Sequence, residues 1–184
     1  MRPALKGAAL SLASIALALV VFGTTMTGAQ AAARWTARVS FALFALAFAG
    51  PAFAALFPGR AARAVAAEEW PLTLGFVGSH LVHLAALGVF VTLSGRELDP
   101  VRLAGGVLGY ALLVVILFRP AARAWAFYYL WFIFLMTYLP RVRGTLPGAG
   151  GAPWTFPLFL SLVVLVLVVR LTASARRVAQ LKAG

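Results

Sequence analysis

Both histidines of this chain, His80 and His83, sit three residues apart inside one uncharged apolar stretch, Leu72 to Ser94. On a helix that spacing puts the two imidazoles about 60° apart and one turn from each other. Gly75, Ser79 and Ala86 share the sector of His83, forming a shallow stripe of small residues where a partner helix or a flat cofactor can come close. Three chemistries fit the pair. The rings can hydrogen-bond carbonyls or hydroxyls on adjacent helices, with Ser79 or the tyrosines of a later helix as candidates, each bond worth on the order of 0.6 to 2 kcal/mol in a membrane. One ring can ligate haem iron through a neutral nitrogen. Both can hold a bare metal ion, although two ligands fall short of the three or four that zinc takes, and the spans offer no thiolate or carboxylate to complete the set.

The element that must position these rings is a membrane helix. Leu72 to Ser94 is 23 residues long, enough at about 1.5 Å per residue to cross a hydrocarbon core of about 30 Å. Ionisable groups at that depth are costly, so they face a bundle interior, a cavity or a ligand. The whole chain is 63% hydrophobic and 11% charged over 184 residues, far from the roughly 25% charged of a soluble domain. The expected fold is therefore all-α, a polytopic membrane bundle of about six helices. Its spans are read at 8–27, 39–57, 72–94, 103–118, 121–139 and 156–171, a single domain over 1–171. A basic tail over 172–184 is expected along the membrane surface.

Composition closes off several functions. The net charge of +12 comes from sixteen Lys and Arg spread over the ends of the apolar segments, where phospholipid head groups neutralise them. No contiguous basic face with interleaved aromatics is present, so nucleic acid is not an expected partner. The absence of cysteine removes disulfides, thiolate metal sites and iron–sulfur clusters. Glu68, Glu69, Glu97 and Asp99 are all expected in loops, which leaves an intramembrane carboxylate relay without residues. Walker, Rossmann and HExxH motifs are missing, and there is no attached flavin or nicotinamide domain.

Along the chain, Arg2 and Lys6 precede the apolar run of Ala8 to Thr27. A basic start with Ala29-Gln30-Ala31 after it fits a signal peptide, but the run exceeds the usual 7–15 residues of a signal core, which favours an uncleaved first span. Gly50-Pro51 is expected to kink the second span. Gly105 and Gly109 form a GxxxG pair on the fourth, which supports close helix packing. The fifth span is crowded with aromatics. Trp125, Tyr129, Phe132 and Met136 fall on one face and Phe127, Trp131, Phe134 and Tyr138 on the other. Trp125 and Tyr138 read as interfacial anchors, the interior rings as core packing or the lining of a haem or quinone pocket, and Pro140 as the stop. The connection from Pro140 to Pro157 reads as an external loop with Trp154 as anchor. Ten Lys and Arg lie on the side of both termini and six on the other, so the positive-inside rule puts both termini in the cytoplasm. Arginine-rich, alanine-rich usage suits a bacterial inner membrane.

The six-span plan, with Gly75-Phe-Val-Gly-Ser-His80-Leu-Val-His83 on the third span and an aromatic fifth, resembles the ferric reductase-like transmembrane domain over about residues 35–140. The resemblance implies a b-type cytochrome, a membrane electron-transfer subunit with histidine ligands on its third and fifth helices. His83, then His80, would be the third-helix ligand to haem b, and a separate electron-donor partner would be required. The fifth span has no histidine, so one chain cannot supply two imidazoles to opposite sides of an iron. A single-His haem, a His–Met pair using Met136, a haem shared in a homodimer, or a cofactorless scaffold or assembly protein of the same fold remain open.

Overall fold

The computed structural model describes residues 2–95, 97, 99–145 and 154–183. Among these the chain forms seven α-helices and no strand: α1 (Pro3–Phe22), α2 (Met26–Leu56), α3 (Arg60–Ala67), α4 (Glu69–Ser94), α5 (Pro100–Phe118), α6 (Arg123–Val142) and α7 (Thr155–Ala183). A 3-10 turn, Pro120–Ala122, joins α5 to α6. The protein is an all-α polytopic membrane bundle, as its hydropathy implies. Helices α1, α2, α4, α5 and α7 are long and apolar enough to cross a bilayer. Helix α6 has 20 residues, as many as α1, but its three Tyr, two Trp and Arg123 lower its hydropathy below the other five.

Helix ends depart from the apolar windows for local reasons. The first helix ends at Phe22 rather than Thr27 because Gly23 turns the chain at φ 72°, a left-handed conformation that glycine adopts without a Cβ penalty. Thr25 then caps α2, its Oγ1 accepting from the Gly28 N–H. Helix α2 runs 31 residues, about 46 Å against a core of about 30 Å. The expected start at residue 39 was set by Arg34 and Arg38, but both simply ride on the helix beyond its apolar part. Pro51 lies inside the helix, which runs on through it to Leu56. Pro140 likewise fails to stop α6, which continues to Val142 and is closed by Gly144 at φ 69°. The stretch read as a loop between the second and third spans contains α3, and Glu69 opens α4 rather than lying in a loop. Asp99 caps α5 by accepting from the Val101 and Arg102 amides. Helix α7 continues through most of the expected tail without a break, to Ala183. Residues 146–153 of the Pro140–Pro157 connection lie outside the described residues.

The bundle has two kinds of interior. Helices α1, α2 and α4 form a close trio built on small residues, while α6 packs on α7 and carries α5 on another side. Helix α2 joins the two through Phe41, Phe44 and Phe48. Phe44 is fully buried and has the rings of Phe48, Phe76, Phe127 and Phe134 within 5.4 Å of its own.

Candidate functional site: the imidazole pair on α4

Helices α2 and α4 run antiparallel, so an i, i+4 pair on one meets an i, i+3 pair on the other. Ser40 Oγ lies 2.7 Å from His80 Nδ1, and Thr36 Oγ1 lies 3.1 Å from His83 Nδ1. The Thr36 hydroxyl also reaches back along its own helix to the carbonyls of Ala32 at 2.9 Å and Ala33 at 3.0 Å. A threonine has one proton to give. With that proton directed at the backbone, His83 Nδ1–H donates to the Thr36 lone pair and Nε2 carries the bare lone pair; with the hydroxyl turned to the ring, Nδ1 accepts instead. Ser40, fully buried, has no second side-chain partner among the described residues, so either atom of its bond to His80 can be the donor.

His80 is boxed by rings. Tyr110 of α5 stacks on it at 4.9 Å and 28° and donates its hydroxyl to the His80 carbonyl at 3.2 Å. Phe76 lies 5.2 Å away, Phe134 meets it edge-on at 6.3 Å, and the His83 ring is 5.5 Å off. Both imidazoles turn Nδ1 toward α2. They therefore stand side by side and cannot face each other across one iron. For a metal the pair would offer ring nitrogens from one side only, each ring oriented by a hydrogen bond at its other nitrogen.

The small-residue stripe has an occupant. Helix α1 lies along it, with Ser11 Oγ 2.6 Å from Ser79 Oγ, both fully buried. A Cβ at Gly7 would fall on the Gly75 carbonyl, and one at Gly78 on the Ala4 carbonyl. Backbone meets backbone here, so the stripe takes a helix of the same chain, and a flat cofactor cannot approach along it. Ser79 is accordingly spent on Ser11 and is not a histidine partner, and the tyrosine that reaches His80 comes from α5 rather than α6.

Met136 is not brought to the histidines. It is 38% exposed and lies about 200° round α6 from Phe134, the residue of that helix that touches His80. The division of α6 into two faces holds. Phe127, Phe134 and Tyr138 are buried, while Trp125, Phe132 and Met136 are exposed. Tyr138, expected as an interfacial anchor, instead stacks on Phe159 at 5.4 Å inside the core, and Trp131 donates its indole N–H to the Val163 carbonyl at 2.8 Å. These rings are packing.

Thr36 and Ser40 were not among the sequence-derived candidates. Their signal was present: two hydroxyls four residues apart within the second helix, matched in spacing to the two histidines. No group of three or more His, Cys, Asp or Glu forms a metal cluster among the described residues. Compared with known proteins, the chain matches no family model, no curated protein and no solved structure.

Proposed function

We propose that this chain is a membrane electron-transfer subunit of the ferric reductase-like kind, with His83 as the residue that would hold a single b-type haem and His80 beside it as the second candidate. The observation that carries this reading is the Thr36–His83 hydrogen bond, which orients the ring through one nitrogen and would leave the other to a metal. The haem would supply one-electron Fe(III)/Fe(II) chemistry. This chain's residues would do the rest. Thr36 and Ser40 orient the rings, Phe76, Tyr110 and Phe134 exclude water from His80, and α1 braces the back of α4. Any further iron ligand and the electrons would come from outside the chain, through a partner reductase or a second copy. In this reading α6 is a sixth span, and the ten basic residues on the side of both termini put that side in the cytoplasm of a bacterial inner membrane.

A second reading rests on the same trio of helices. No buried side-chain nitrogen or oxygen among the described residues lacks a hydrogen-bond partner, and the imidazole–hydroxyl bonds fasten α2 to α4 whether or not iron is present. On that reading the protein is a scaffold or assembly factor, and the histidines are fasteners. Absorption spectra of protein purified in detergent from haem-replete cells, oxidised and then dithionite-reduced, separate the two. Electron transfer requires a Soret band that His83→Ala abolishes. A colourless protein whose His83→Ala/His80→Ala variant still folds supports the scaffold.

A further inference from the structure

Away from the histidines, the starts of α4 and α6 and the turn before α6 meet α2 and the middle of α7 around a cavity of about 210 Å³ lined by Phe48, Glu69, Pro120, Arg123, Phe127 and Arg170, among others. Two of these residues are guanidinium groups and one is a carboxylate. Arg123 Nη2 pairs with Glu69 Oε1 at 3.0 Å and its guanidinium carbon lies 5.8 Å from the Trp70 ring. Arg170 has no carboxylate among the described residues. It donates Nη1 to the Phe48 carbonyl at 3.2 Å and rests over the Phe48 ring at 5.4 Å. The cavity wall therefore carries one positive charge more than it neutralises, on a half-buried arginine that has spent one of its five donors.

We infer that this cavity binds a phosphate group between Arg123 and Arg170. Three features point to phosphate. The guanidinium fork matches two phosphate oxygens at once, which a chloride ion or a single carbonyl cannot exploit. The missing charge is negative. The cavity also lies where Glu69 opens α4 and Pro120 opens the turn that leads into α6, at the helix ends, which is the depth of lipid head groups. Basic pockets between membrane helices at this level recognise anionic head groups. The shared chemistry is a phosphate, carried by a lipid or free in solution.

The test is native mass spectrometry of the full chain in neutral detergent, titrated with phosphatidylglycerol, with phosphatidylcholine, and with inorganic phosphate as competitor. Phosphatidylglycerol should bind in preference to phosphatidylcholine. Arg170→Gln should weaken it about tenfold or more, the value of one charge-assisted hydrogen bond, while Arg176→Gln, on α7 but outside the lining, should leave it unchanged. Glu69→Gln should tighten it several-fold by removing the competing carboxylate, a gain that misfolding cannot imitate and that decides the matter if Arg170→Gln does not fold. Inorganic phosphate that displaces the lipid at millimolar concentration identifies free phosphate as a source, and failure to displace it identifies the lipid. Phosphatidylglycerol binding indifferent to Glu69→Gln, or equal to that of phosphatidylcholine, overturns the proposal.

Discussion

The α1–α2–α4 trio and the α5–α6–α7 side solve one packing problem by opposite means. Lipid tails are as apolar as leucine, so helices in a bilayer gain little from hiding apolar surface and must associate through close contact and hydrogen bonds. The trio does so by subtraction. Gly7, Gly28 and Gly78 let backbones touch, and hydroxyls and imidazoles clasp across the seams at Ser11–Ser79, Ser40–His80 and Thr36–His83. The other side does so by addition. Aromatic rings fill the space, and long side chains reach carbonyls on neighbouring helices, as Tyr129 reaches Gly105 and Trp131 reaches Val163. Contact by subtraction is intolerant of added atoms and fixes ring orientation. Contact by addition gives way more easily. A site that depends on one imidazole orientation belongs in the first kind of interior, and His83 is there.

Substitutions that separate the two regimes should rank as follows. Gly78→Val drives a side chain into the α1 backbone, with no flexible side-chain end to move aside. It should destabilise by more than about 4 kcal/mol or prevent assembly, the range reserved for severe steric conflicts, read by thermal unfolding in detergent. Phe44→Ala, which empties the ring cluster joining the two regions, should cost about 3–5 kcal/mol in the same assay. Removing one clasp is smaller. Ser40→Ala should cost about 0.6–2 kcal/mol, and in a His80→Ala background it should cost little, because the shared bond is already gone. Gly105→Ala lies at the bottom of the scale, within about 0.5 kcal/mol. The nearest atoms to the new methyl group are Ile133 Cδ1 at 3.5 Å and the Tyr129 hydroxyl at 3.8 Å, ordinary van der Waals distances. Equal losses at Gly78 and Gly105 would erase the contrast.

What the chain discloses before folding follows the same division. Apolar length reveals the helices, and the stripe of Gly75, Ser79 and Ala86 announces a close approach, because both are properties of one segment. Which helix takes the stripe is a property of two segments, so α1 could not be read from α4. The same holds for Thr36 and Ser40, whose pairing with the histidines depends on the antiparallel register of α2 against α4. Glu69, Arg123 and Arg170 come from three distant positions and met only on folding. Helix ends were misjudged where charge was read as a boundary. Arg34, Arg38 and Glu69 mark where lipid gives way to head groups, and a helix has no reason to stop there. Pro140 was overread for a related reason, since a proline near a helix end forfeits one hydrogen bond that the last turn can spare.

The most direct measurement is the reduced-minus-oxidised absorption spectrum of three purified proteins: the native chain, His83→Ala and Thr36→Val. A haem held on His83 predicts a Soret band in the native protein and none in His83→Ala. It also predicts a weakened or shifted band in Thr36→Val, where the ring remains but loses the hydrogen bond that orients it. A native protein without the band, or a band that survives His83→Ala and Thr36→Val unaltered, would contradict the assignment of His83 as ligand.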